Sequence, residues 1–165
     1  MERKRCFDPV VDERTRLLVL GSLPGEQSLV LQQYYGNRQN KFWELLGQVI
    51  NVDLRAMAYE ARLAALREHG IGLWDVVADA HRKGSLDSSI RERNDNDLLG
   101  LLARYPNIKV IAFNGGTAGR LGRRVLGQNA VAYRIVELPS SSPAHTLAFA
   151  EKASRWLVLQ SALDG

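Results

Sequence analysis

The sequence predicts an α/β fold, a three-layer α/β/α sandwich around a short, mainly parallel central sheet. Three observations lead there. Apolar runs of strand length recur at Arg16–Leu20, Ile71–Val76, Ile108–Phe113 and Tyr133–Leu138. They are continuous rather than alternating, as expected of strands buried on both faces. Segments with helical spacing separate them, and strands that alternate with helices imply a parallel sheet covered on both sides.

Taken in order, the first strand ends in Gly21-Ser22-Leu23-Pro24-Gly25. Glycines in such a turn let the backbone approach a ligand. The turn lacks the Gly-Lys-Ser/Thr ending of a phosphate-cradling loop and does not match Gly-x-Gly-x-x-Gly. Phe42, Trp43, Leu45, Leu46, Val49 and Ile50 recur at helix spacing, with Asn40 just ahead as an N-cap candidate. Met57 to Leu66 predicts a second helix, and the second strand then leads to Trp74-Asp75. Leu98, Leu99, Leu101 and Leu102 form a short amphipathic helix, capped by Asp97 and stopped before Pro106. The third strand runs into Asn114-Gly115-Gly116, with Thr117 as the expected N-cap of the next helix. The fourth enters Pro139-Ser140-Ser141-Ser142-Pro143, and Leu147 to Leu163 predicts one last helix with Trp156 inward. Ligands in open α/β sheets bind beyond the carboxyl ends of the strands. That rule singles out Gly21–Gly25, the segment after Trp74, Asn114–Gly116 and Pro139–His145.

Composition narrows the function classes. The 165 residues suffice for one domain with a real core, expected to span 1–165. No apolar run approaches the roughly 18 residues of a membrane span, and the MERKRCFDP start has no signal-peptide apolar segment. A lone cysteine, Cys6, precludes an internal disulfide, fits a reducing cytoplasm and argues against a cysteine-based zinc site. His69 and His81 lack metal-ligand spacing, so neither metal nor cofactor is expected. The net charge of +4 permits a polyanionic partner without requiring one.

Four segments in one order carry more than any of them alone. They are Gly-Ser-Leu-Pro-Gly at 21–25, Gly-Asn-Arg-Gln-Asn-Lys-Phe-Trp at 36–43, Gly-Leu-Trp-Asp-Val at 72–76, and Leu-Pro-Ser-Ser-Ser-Pro at 138–143. Together they resemble the uracil-DNA glycosylase superfamily, and most closely its hypoxanthine-DNA glycosylase branch (the DNA-deoxyinosine glycosylases, family 6). Ser28-Leu29, Gln33-Tyr34-Tyr35-Gly36 and Gly84-Ser85-Leu86-Asp87-Ser88 are similar to that branch as well. The resemblance covers roughly Leu17 to His145. It implies a monofunctional DNA glycosylase that hydrolyses the N-glycosidic bond of a deaminated base and leaves an abasic site. The sequence departs from the best-known members at two places. Their first motif carries an acidic or amide water activator where Leu23 stands, and their second motif often opens with His where Leu138 stands. The resemblance to the hypoxanthine branch moves the catalytic role to Asn40.

The chemistry assigns the remaining roles. A base must leave the helix before its glycosidic bond can be reached, and bond breaking then places positive charge on the sugar and negative charge on the base. Asn40 is the candidate that orients water or donates to base or sugar; a neutral amide acts by position rather than by proton removal. Phe42 is the expected stacking platform, and Gly21, Ser22, Leu23 and Tyr35 are expected to wall the base pocket. Asp75, when ionised, only accepts hydrogen bonds. It would accept from N1–H of hypoxanthine and reject adenine, which has no such proton, but N3–H of uracil would serve equally. Pro139, Ser140, Ser141, Ser142 and His145 are the expected DNA-backbone contacts. Arg91, Arg93, Arg120, Arg123 and Arg124 meet DNA or are simply solvated. The expected partner is double- or single-stranded DNA containing a deaminated base, bound by a monomer. Two other readings stay open: a uracil- or xanthine-preferring glycosylase of the same fold, and a damaged-DNA-binding module without catalysis.

Overall fold

The computed structural model describes residues 3–164. Its strands are β1 (Lys4–Arg5), β2 (Leu17–Gly21), β3 (Ile71–Asp75), β4 (Val77–His81), β5 (Arg91–Asp95), β6 (Val110–Asn114) and β7 (Arg134–Leu138). The helices are α1 (Glu26–Leu31), α2 (Phe42–Ile50), α3 (Tyr59–Glu68), α4 (Leu98–Arg104), α5 (Gly116–Leu126), α6 (Phe149–Trp156) and α7 (Leu159–Leu163). Four strands form a fully parallel sheet in the order β3-β2-β6-β7. These are the four apolar runs, each displaced by no more than two residues from its expected place.

Side chains of a strand alternate between faces, and here both faces are covered. Leu17 and Val19 of β2 join a core with residues of α2, α3 and α6. Leu18 and Leu20 join the opposite core, built with α4 and α5. All four are fully buried, which explains the unbroken apolar run. Each such leucine contributes about 1.5–3 kcal/mol relative to an exposed one.

After β2 the chain pairs on one side as β3 and later returns to pair on the other as β6. This reversal sets a topological switch at the carboxyl end of β2, where loops diverge and leave a crevice.

Three features depart from expectation. A second, antiparallel sheet, β1-β4-β5, continues from β3 through Val76. Its β5 reads RERND and is largely exposed, so it carries no apolar signal. The final helix is interrupted at Leu157-Val158, both part-exposed, and resumes as α7. Thr117 is not an N-cap, because α5 already begins at Gly116 behind Gly115. Asp97 does cap α4, accepting from Gly100 N–H at 2.9 Å.

One tight contact in the α4–α5 layer gives a stability prediction. A Cβ on Gly122 would lie 2.2 Å from Cε1 of the fully buried Phe113. Alanine there gains about 1 kcal/mol of helix propensity but overpacks the core, at about 1–3 kcal/mol. Gly122→Ala should therefore lower the urea midpoint; a raised midpoint would show that Phe113 has room to move.

Candidate active site

The carboxyl ends of all four parallel strands meet around one pocket of about 430 Å³, within the size range of small-ligand sites. Gly21–Gly25 forms one wall, and Asp75, Asn114 and Ser140–His145 contribute from the other strand ends. The loop between β4 and β5 adds Asp87, and the α1–α2 connection adds Tyr35 and Asn40.

Asp75 ends β3 beside the end of β2, where Gly21 is its cross-strand partner. The absence of a side chain at Gly21 makes the packing feasible. A Cβ there would lie 2.7 Å from Asp75 Oδ1 and 2.9 Å from the Tyr35 hydroxyl. Asp75 is 4% exposed and its Oδ2 has no hydrogen-bond partner. Burial pushes its carboxyl up to about 7, the nearby Asp87 charge adds to the rise, and Arg82 opposes it. A buried carboxylate oxygen without a donor is costly, so this atom is a vacant acceptor inside the pocket.

Asp87 and Arg82 had no role in the sequence reading, although Asp87 lay within a motif that pointed to the family. Ser22 Oγ donates to Asp87 Oδ1 at 2.9 Å, and burial raises the Asp87 carboxyl. Arg82 is 2% exposed and holds the loops from below. It donates to the carbonyls of Gly84 (2.7 Å), Leu23 (3.2 Å) and Pro24 (2.5 Å). The turn after β2 is thus fixed by a guanidinium supplied 58 and 59 residues after the carbonyls it binds there. Leu23 is buried in that turn and offers the pocket only apolar surface and backbone.

The aromatics are arranged differently from the expectation. Phe42 is fully buried and is absent from the pocket wall. Tyr35 covers it, with ring centroids 3.8 Å apart and planes 10° from parallel. Trp43 and Trp156 meet the Phe42 ring edge-on at 5.0 and 5.8 Å. Phe42 is therefore a support, and the aromatics on the pocket wall are Tyr35, stacked on Phe42, and the buried Tyr34 beside it. Tyr35 has a φ of 53°, in the left-handed region, a conformation that costs a non-glycine residue about 1–2 kcal/mol. Its neighbours hold it: Trp43 Nε1 donates to the Tyr35 carbonyl at 3.2 Å, and Gly36 N–H donates to Ser28 Oγ at 2.9 Å.

Asn40 lines the pocket; the N-cap of α2 is Lys41 rather than Asn40, but Asn40 Oδ1 accepts from Phe42 N–H, the first helical amide, at 3.0 Å. The Asn40 carbonyl accepts from Arg55 at 3.1 Å, and Arg55 is paired with Glu44 at 2.9 Å. The amide is thus held at both backbone and side chain. Its Nδ2 makes no hydrogen bond within the described residues, which leaves a donor facing ligand or solvent.

The serine loop divides. Ser141 is 1% exposed and turned inward: its Oγ accepts from Asn114 Nδ2 at 2.8 Å, and its N–H donates to Asn114 Oδ1 at 2.9 Å. It organises the loop and is not placed to meet a phosphate. Pro139, unlike Ser141, lies off the pocket wall, its carbonyl accepting from Trp156 Nε1 at 2.9 Å. Ser140, Ser142 and the exposed His145 remain at the rim.

Comparison with known proteins gives a concordant result. The family model described as the uracil DNA glycosylase superfamily matches residues 9–161. A hypoxanthine DNA glycosylase of Methanosarcina acetivorans is 43% identical over 153 residues, covering 93% of this chain and 95% of that protein. A hypoxanthine DNA glycosylase of Methanosarcina barkeri is 40% identical over 154 residues, covering 93% and 96%. The solution NMR structure of a Methanosarcina acetivorans protein assigned to the uracil DNA glycosylases superposes with a TM-score of 0.87. It is 41% identical and covers 99% of this chain and 100% of its own.

Proposed function

We propose the following reaction for this chain, which belongs to the uracil DNA glycosylase superfamily: it hydrolyses the bond between deoxyribose and a deaminated base in DNA, with hypoxanthine the preferred base. Water oxygen bonds to C1′, the C1′–N9 bond breaks, a water proton reaches the departing base through solvent, and an abasic site remains. The observation that carries the choice of a deaminated base over adenine is the unpartnered Oδ2 of Asp75. A buried acceptor selects a base edge that presents N–H, which hypoxanthine has at N1 and adenine lacks. The names of the relatives at 40–43% identity agree with that selection.

Each group has a role in this reading. The pocket face of Tyr35, backed by Phe42, is the stacking platform, a contact worth about 1–3 kcal/mol per base. Asn40 places the attacking water or steadies the sugar with the free Nδ2 donor, while the bond from Phe42 N–H to its Oδ1 holds its position. Ser140, Ser142 and His145 contact the phosphates that flank the extruded nucleotide. Asn40 supplies no base strength, so the reaction relies on position and on stabilising the departing charge. The enzyme acts as a monomer of one domain, in the cytoplasm with the DNA.

The test is incubation with oligonucleotides that each carry one hypoxanthine, uracil or xanthine, followed by alkaline cleavage of abasic sites. Fastest cleavage at hypoxanthine supports the reading. Fastest cleavage at uracil would show that the Asp75 acceptor meets N3–H instead. Binding without cleavage of any of the three would leave a damage-recognition module. Affinity for duplex should also fall steeply as salt rises, because phosphate contacts release counterions. A flat salt response by fluorescence anisotropy would rule out phosphate contacts at the rim.

A further inference from the structure

We propose that Lys152 is a positioning residue for DNA binding: from beneath the pocket rim, its ammonium group holds the Ser142–His145 turn in the form that receives a phosphate. The inference rests on the reading above, in which this turn meets the DNA backbone.

Lys152 lies on α6 and is 3% exposed, unusual for the most readily solvated of side chains. Its Nζ donates to the carbonyl of Ser142 at 3.2 Å and to that of His145 at 2.7 Å. These carbonyls stand at the two ends of one tight turn. His145 N–H closes that turn onto the Ser142 carbonyl at 3.1 Å, and Ala144 N–H donates to Ser142 Oγ at 3.2 Å. A single cation thus gathers both ends of the turn.

Two consequences point beyond a packing role. First, carbonyl oxygens are the negative ends of peptide dipoles and repel phosphate. Lys152 draws two of them inward, away from the rim. Second, its charge has no counter-ion. Among the described residues no carboxylate forms a salt bridge with it, and burial alone is the cause of its lowered proton affinity. Arg82, the other buried cation beneath the rim, also holds carbonyls but faces Asp75 and Asp87. A buried charge is expensive unless it is compensated. Under the exposed Pro143–His145 edge, the missing compensation is an anion arriving from outside.

Three proteins decide this: the parent, K152M and K152R. Each is titrated by anisotropy against a duplex with one 2′-fluoro-deoxyinosine, whose fluorine disfavours the oxocarbenium-like transition state and prevents cleavage. K152M should bind about 10–100-fold more weakly, the scale of one or two lost charge-assisted hydrogen bonds. K152R should recover most of that loss. The slope of log affinity against log salt should be unchanged, because Lys152 releases no counterion itself. A direct phosphate ligand would instead lower the slope by about 1. Single-turnover cleavage at saturating deoxyinosine duplex should stay near the parent rate.

Parent affinity in folded K152M, a reduced slope, or K152R binding no better than K152M would each overturn the proposal. Folding is checked by near-ultraviolet circular dichroism. If K152M does not fold, K152Q, whose amide nitrogen donates without carrying a charge, is judged by the same criteria. Loss of affinity in a protein whose parent cleaves no deaminated base would uphold the turn and reject the glycosylase reading. Cleavage by the parent with undiminished K152M affinity would do the opposite.

Discussion

Replacing Asn40 with alanine should slow single-turnover cleavage of a deoxyinosine duplex by about 10²–10³-fold, the scale for loss of one preorganised polar contact. Affinity for the uncleavable duplex should hardly change, since stacking on Tyr35 and the rim contacts persist. The geometry makes the expected loss larger than that of a flexible surface amide. Asn40 Oδ1 is fixed by Phe42 N–H and its carbonyl by Arg55, so the free Nδ2 meets its target without first being ordered. The same hydrogen bond creates a confounding effect, because losing a side-chain acceptor at a helix start costs about 0.5–2 kcal/mol of stability. Asn40→Asp separates the two roles. Aspartate keeps an acceptor for Phe42 N–H at the start of α2 but cannot donate when ionised. A variant that keeps the parent melting temperature yet loses the rate identifies Nδ2 as the working group. Asn40→Ala that is folded and cuts at the parent rate would reduce Asn40 to an anchor of the helix start.

The loop chemistry around the pocket was legible because it follows from a general rule about strand ends. Gly21–Gly25, Asp75, Asn114 and Ser140–His145 all follow a parallel strand, and each strand announced itself by an unbroken apolar run. What could not be read was which way a side chain turns. Tyr35 and Phe42 are both aromatic and seven positions apart, and nothing in their spacing says that one covers the other. That depends on the left-handed backbone at Tyr35, a conformation that sequence favours only for Gly, Asn or Asp. The serines pose the same difficulty. Ser140, Ser141 and Ser142 look alike, and only the pair of hydrogen bonds with Asn114 separates the inward one. Asp87 and Arg82 were hidden for another reason. They lie in the loop between β4 and β5, and β5 is a strand of exposed charge with no periodic signal, so the hairpin that carries them to the pocket left little apolar trace.

Asp75 should make both activity and stability depend on pH, in opposite directions. Its carboxyl is raised from 3.8 to about 7 by burial and by the Asp87 charge, against the pull of Arg82. Tyr35, Tyr34 and Cys6 also face it, and each is pushed up by burial and by the Asp75 charge, so they stay protonated while Asp75 ionises. As the acceptor of hypoxanthine N1–H, Asp75 works only when ionised. Thus kcat/KM for deoxyinosine should rise about tenfold per pH unit below about 7 and level off above it. Stability runs the other way. The folded protein holds this proton to a higher pH than the unfolded chain does, so the stabilisation is complete below about 3.8 and is lost as pH rises through about 7. Three pH units correspond to an upper limit of about 4 kcal/mol. Asp75→Asn carries no charge at any pH. It should melt several degrees above the parent at pH 8, about 2–4 °C for each kcal/mol in a chain of this size, and match it near pH 4. The same substitution should flatten the pH–rate profile, and Asp87→Asn should move the parent's limb to lower pH by removing the repelling charge. A rate that instead falls as pH rises through 7 would mean that Asp75 acts while protonated, as a donor to the base. The selection of hypoxanthine over adenine would then have to come from another group.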